Sequence, residues 1–321
     1  MVGGTRMWRA AAPVVALLAV LGAVGPLPDA RADGVRYLDE VFDGYTVTPD
    51  LVYGQSRDYR GVLLQHQLDV LEPAGDEAAS RAAVVWIHGG YFKRGSKDVE
   101  WYRAAREQFV KAGYVVFSIN YRLNPTLPEG LLPTLETLRI EEYIQEAKDA
   151  AHDAQAAVRW VRAHAAQYRV DPSKIAVAGH SAGGITAMAV GYNSEDPGDS
   201  GTPGVSSRVA AIVASAGGSM PGVLSLIGVG EPPMLVSHGV VDDVVPYPAS
   251  LLPCTTAIAL GNVCEQQLDV DQAHPQFGYD GWREFLYRRM IAPPPLDLPV
   301  HLSVEALSSP SLPPQGAAAP G

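Results

Sequence analysis

Hydrophobic residues fall along this chain in short unbroken runs, set between segments of helical spacing. Ala82–Ile87 (AAVVWI), Tyr114–Ile119 (YVVFSI), Lys174–Ala178 (KIAVA), Val209–Ala214 and Met234–Ser237 are the clearest runs. Continuous rather than alternating hydrophobicity predicts strands buried on both faces, as in parallel sheets. Leu63–Leu71 alternates loosely and predicts a strand with one wet face, and a last strand is expected near Glu265–Val270. Helical spacing covers residues 98–112, closed by Gly113, and residues 141–167, where Ala150, Ala154, Ala157, Val158 and Val161 share a stripe. Another helix begins at Ile185, and residues 280–291 predict a closing one. Residues 33–60 are mixed and read as opening strands or an N-terminal extension. This alternation predicts an α/β fold: a mostly parallel sheet with helices on both faces.

The two ends depart from that pattern. Arg6 and Arg9 flank the start of an almost wholly apolar run, Ala10–Leu27, and Ala30-Arg31-Ala32 puts small residues where a signal peptidase reads. Residues 1–32 are therefore expected to be a signal peptide cut before Asp33, giving a secreted or extracytoplasmic product. A retained membrane anchor is the alternative, although Pro13, Gly22, Gly25 and Pro26 interrupt the run and leave it marginal for a span. No later segment is long and apolar enough to cross a bilayer. From Ala292 onward Pro, Ala and Ser dominate, so 292–321 is expected to be a disordered tail and 33–291 the folded domain.

The chain has 321 residues, 47% of them hydrophobic and 18% charged, which is material for one large core. A formal net charge of −11 argues against nucleic acid or an anionic membrane surface as partner. Cys254 and Cys264 are the two cysteines, and in an exported chain such a pair predicts a disulfide, with two buried thiols as the alternative. No Cys or His spacing around them suits a zinc site.

Gly179-His180-Ser181-Ala182-Gly183 matches G-x-S-x-G, after a strand-like run and before a helix-like one. That setting demands a sharp turn, which holds the serine oxygen out at the carboxyl edge of a sheet; glycines on either side remove side chains that would clash. A glycine-rich turn with a structural serine would share the letters but not the setting. His88-Gly89-Gly90 ends an earlier strand, followed by Tyr121-Arg122-Leu123, Arg159-Trp160-Val161-Arg162-Ala163 and Asp171-Pro172. In this order and spacing, from about residue 60 to residue 290, the chain resembles the carboxylesterase and lipase-like branch of the α/β-hydrolase superfamily. The resemblance implies an eight-stranded α/β-hydrolase sheet and hydrolysis of carboxylic esters with no cofactor.

Roles follow from that resemblance. Ser181 is the expected nucleophile. Oxyanion donors are expected from the Ala182 N–H and from Gly89 or Gly90, where backbone must approach the reacting carbonyl closely. The family often has a third glycine where this chain has Tyr91, which leaves open which loop amide serves and points to an aromatic wall beside the ester. In this fold acid and base follow the serine in that order, so the base is one of His238, His274 and His301. His301 lies in the tail and His238 ends a strand just before the acid, which leaves His274. The pattern H-G-x-x-D-x-x-V-P puts the acid at Asp242, with Asp243 as competitor.

His88 is expected to pin its loop, His180 to pack or line the rim, and Arg122, Asp153 and Arg159 to form a buried polar scaffold beneath the site. The expected activity is hydrolysis of a small-molecule or polymer ester through an acyl-enzyme. A serine peptidase or amidase is the rival among enzymes, without a propeller-sized preceding domain to support it. A non-catalytic binding protein is the rival outside them, and all three triad residues argue against it. The segments that could cover the site, Asn124–Glu141, Asn193–Ser207 and Gly217–Pro232, are short, so no large lid is expected.

Overall fold

The computed structural model describes residues 34–125, 140–194, 196–219, 226–274 and 279–293. The expected signal peptide and all but the first residues of the expected tail lie outside them. The strands are β1 (Tyr45–Arg57), β2 (Leu63–Pro73), β3 (Arg81–Ile87), β4 (Val115–Ile119), β5 (Val170–His180), β6 (Ala211–Ser215), β7 (Met234–Gly239) and β8 (Cys264–Asp269). The helices are α1 (Arg103–Lys111), α2 (Ile140–Ala163), α3 (Ala182–Tyr192), α4 (Pro248–Ala259) and α5 (Tyr279–Leu286).

All eight strands form one sheet in the order β1-β2-β4-β3-β5-β6-β7-β8. β1, β2 and β4 pair antiparallel, and every pairing from β4 through β3 to β8 is parallel. This is the α/β-hydrolase fold, an eight-stranded and mostly parallel sheet as expected.

Alternation along β3 explains the unbroken apolar run. Ala83, Val85 and Ile87 enter a core with the inner faces of α2 and α3, whereas Ala82, Val84 and Trp86 enter a second core with α1 and α5. Successive side chains point to opposite faces, and here both faces are dry. Tight backbone contact comes from the alanines of α2: Ala147, Ala150, Ala154 and Ala157 are fully buried against the sheet. On the other face Trp86, Phe109 and Trp282 stack, with centroids 6.3 and 6.4 Å apart.

Several boundaries differ from the sequence pattern. The helix expected over 98–112 is a single tight turn, Glu100–Tyr102, followed by α1. The helix expected over 141–167 stops at Ala163, where residues 164–169 form turns into β5. The closing helix ends its regular part at Leu286 and widens into a π turn over Tyr287–Ile291. Cys254, on α4, and Cys264, at the start of β8, form a disulfide. Among the described residues no helix is long and apolar enough to cross a membrane.

Candidate active site

Parallel strands deliver their carboxyl ends to one edge, and the candidate residues lie just beyond those ends. Ile87 is opposite Gly179, so His88-Gly89-Gly90 leaves β3 beside the turn that leaves β5. His180 is opposite Ser215, Ser215 opposite Ser237, and Gly239 opposite Asp269, which carries the same edge across β6, β7 and β8. Asp242 follows β7 and His274 follows β8.

Ser181 sits between β5 and α3 with φ 57° and ψ −122°, a conformation that is strained for a residue with a side chain. Two things hold it there. Its N–H donates to the Ser215 carbonyl at 2.8 Å, and Gly179 and Gly183 let the turn close against the end of β3. A side chain at Gly183 would run into the Ile87 carbonyl and sit 2.7 Å from that of His88. Ala182 is the first residue of α3, so its N–H has no acceptor within the helix, and the helix dipole favours negative charge beside it.

His274 Nε2 is 3.0 Å from Ser181 Oγ, and His274 Nδ1 is 2.6 Å from Asp242 Oδ2. Residues 93 apart and 32 apart in sequence thus meet in one line. A carboxylate can only accept, so Nδ1 carries the hydrogen and Nε2 presents its lone pair to the serine hydroxyl. The loops that carry Asp242 and His274 are sewn together by Val240 N to Asp269 O (2.8 Å) and Val241 N to Gln272 O (3.3 Å). Asp242 Oδ1 accepts the amides of Val244 and Val245 at 2.8 Å each. Burial alone would raise the Asp242 carboxyl, but hydrogen bonds from His238, His274 and Val245 outweigh it and hold the group well below the usual carboxylate range. Of the two candidate acids, the structure brings Asp242, not Asp243, to His274.

The loop after β3 lies against Ser181: a side chain added at Gly89 would be 3.0 Å from Ser181 Cβ and 2.8 Å from the His180 carbonyl. Gly90, Tyr91 and Phe92 all have left-handed φ, 128°, 59° and 62°. For two non-glycine residues in succession this is costly, and the surroundings fix it. Phe92 is fully buried, the Phe92 carbonyl accepts from Asn124 N (2.9 Å), and the His88 ring stacks on Tyr121, whose hydroxyl donates to the His88 carbonyl at 2.9 Å. His88 Nδ1 donates to the Gly89 carbonyl (2.7 Å), and burial pushes its pKa down to about 4, so it is a neutral pin. Farther along, the buried Lys97 ammonium meets Asp50, Asp69 and Asp98 at 3.0, 2.9 and 2.9 Å. Burial would lower it, yet those carboxylates raise it well above its ordinary value.

Tyr91 is half-buried, with the Arg94 guanidinium 5.6 Å from its ring. Tyr102, which no sequence pattern singled out, places its hydroxyl against the Gly89 backbone; burial pushes it up to about 12. His180 is buried with its ring 5.1 Å from that of His274, and burial pushes it down to about 3. Arg122 and Asp153 form the expected buried pair, with Arg122 N 2.7 Å from Asp153 Oδ2, while Arg159 instead donates to the Gly201 carbonyl at 3.1 Å. His301 lies outside the described residues. Among the described residues no group of His, Cys, Asp or Glu could hold a metal ion.

Residues 67–194 match the carboxylesterase family. Esterase LipI of Mycobacterium tuberculosis is 34% identical over 126 residues, which is 39% of this chain and 33% of that protein. The chain spans about a third of the length of the curated relatives it matches. A thermophilic esterase from Thermogutta terrifontis, solved with propionate bound, is similar over 79% of this chain and 97% of its own, at 25% identity and a TM-score of 0.60. The esterase 2 of Thermogutta terrifontis phosphoramylated by tabun gives 26% identity and a TM-score of 0.61 over 79% and 98% of the two chains.

Proposed function

From a chain with the α/β-hydrolase fold and a carboxylesterase and lipase likeness, we propose hydrolysis of carboxylic esters through an acyl-enzyme on Ser181. One observation carries the proposal: a single imidazole, His274, spans the Ser181 hydroxyl at 3.0 Å and the Asp242 carboxylate at 2.6 Å, beside a glycine loop. His274 Nε2 takes the serine proton as Oγ attacks the ester carbonyl. Asp242 fixes the tautomer and stabilises the imidazolium. Charge on the tetrahedral oxygen falls to the Ala182 N–H and to a backbone N–H of Gly89 or Gly90. His274 then returns the proton to the leaving alcohol, and water repeats the sequence to release the acid.

Short acyl groups or accessible esters are the proposed substrates. Structures of the Thermogutta esterase hold propionate and butyrate, and the covering segments of this chain are short. We further propose export, with cleavage before Asp33; N-terminal sequencing of secreted protein should begin at that residue, and a mature product that keeps residues 1–32 would refute it.

A nitrophenyl-ester panel from acetate to long-chain acyl groups, run on wild type and Ser181→Ala, tests the activity. Acetate and butyrate turnover should fall at least about 10⁴-fold in the variant. Equal turnover by the two proteins would remove Ser181 from the mechanism, and a strong preference for long-chain emulsions would remove the short-acyl assignment.

A further inference from the structure

We propose that His238 is a positioning residue for the acid of this site: its imidazole presents Nε2–H beside the same Asp242 oxygen that receives the His274 hydrogen, and thereby moderates the hold of Asp242 on the His274 imidazolium. The proposal rests on the roles given to Asp242 and His274 above.

His238 is fully buried at the end of β7, four residues before Asp242. Its Nε2 lies 2.8 Å from the Val245 carbonyl and 3.2 Å from Asp242 Oδ2. Carbonyl and carboxylate oxygens only accept, so Nε2 must carry a hydrogen, which goes to the Val245 carbonyl with Asp242 Oδ2 lying alongside. Nδ1 is buried with no hydrogen-bond partner among the described residues. Tyr247 packs edge-on against it, centroids 5.8 Å apart, and fixes the ring plane.

Asp242 is thus gripped on both oxygens. Oδ1 takes two backbone amides, and Oδ2 takes the His274 imidazole at 2.6 Å with the His238 Nε2–H beside it at 3.2 Å. A carboxylate oxygen that already holds one donor offers less electron density to another. The shared oxygen therefore attracts the imidazolium less strongly than an unencumbered one would. The other titratable groups facing this cluster are His180 from β5, Tyr91 from the glycine loop, Asp243 from the acid loop, Tyr247 at the head of α4, and Tyr102 beyond His180. Burial keeps His180 neutral, at about 3, and raises the Tyr91 hydroxyl above its ordinary value.

The test is the acid limb of the kcat/KM–pH profile, which reports the base in the free enzyme. In His238→Leu the limb should move up by about 0.5–1 unit, a fraction of the strength of one hydrogen bond to a charged acceptor. His238→Gln keeps an N–H near the Nε2 position and should restore the wild-type limb. An unmoved limb in the Leu variant, or an equal shift in both variants, overturns the proposal. Nitrogen-15 NMR of histidine-labelled wild type needs no substitution: His238 should carry its hydrogen on Nε2, and an Nδ1–H tautomer overturns the proposal. Failure of the underlying roles would look different, since Ser181→Ala would then stay active.

Discussion

Replacing Gly89 by alanine probes how tightly the glycine loop must sit against the nucleophile. The new methyl would stand 3.0 Å from Ser181 Cβ and 2.8 Å from the His180 carbonyl, and would press on the Tyr102 hydroxyl. Carbon contacts settle at about 3.5–4.0 Å, so loop and turn must part by about 0.5–1 Å. The His180 carbonyl is backbone on the strained turn and cannot rotate away. Misplacement on that scale costs about 10²-fold in rate, and loss of one oxyanion donor costs about 10²–10³-fold. Gly89 has an ordinary φ, so alanine adds crowding but no torsional penalty; overpacking of this kind destabilises by about 1–3 kcal/mol, which a folded domain tolerates. The expected result is a folded protein whose kcat against nitrophenyl butyrate falls about 100-fold or more, with KM changed far less. Kinetics and a thermal melt on the same preparation decide it. A variant within threefold of wild-type kcat would show that the loop is not an oxyanion element held in register with Ser181.

Other substitutions separate the remaining roles. Asp242→Asn should lower kcat about 10⁴-fold with the fold intact, whereas Asp243→Asn should stay near wild type; the reverse order in an ester assay would transfer the role to Asp243. His88 and His180 are neutral in the fold and have pKa values near 6.5 when unfolded, so their contribution is complete above about pH 6.5 and is lost as pH falls toward 4. Melting temperature should therefore drop from pH 7 to pH 4.5, at up to about 1.4 kcal/mol per pH unit for each histidine, and a rise on acidification would contradict their burial. Reducing the Cys254–Cys264 disulfide should cost about 2–3 kcal/mol in denaturant unfolding, and identical curves with and without reductant would argue that the link constrains nothing.

The central strands were legible because β3 to β7 are dry on both faces, which leaves unbroken apolar runs in the sequence. β1 was not: it is an edge strand whose residues 46–50 are exposed, so its composition carries no strong pattern. α4 was missed for a different reason. Pro248 starts it and Pro253 sits inside it, and few of its side chains are buried, so no apolar stripe marks it. Ser181, Asp242 and His274 were singled out through the family resemblance, and the structure brings the three within hydrogen-bond reach. The ties between them were hidden. Nothing in the order of letters says that Tyr102 reaches Gly89, and the one available hint about His238 was its spacing of four from Asp242.

The clamp on the glycine loop has a consequence for how this site could change its diet. From His88 to Lys97 nearly every anchor is shared: stacked rings, a buried phenylalanine and an ammonium gripped by three acids. Enlarging or shrinking anything there would disturb the donors along with the wall. Val240 and Val241 differ: they stand exposed on the loop that carries Asp242, held by main-chain contacts their side chains do not make. Those two side chains can therefore be exchanged while the main-chain ties that set Asp242 against His274 stay as they are.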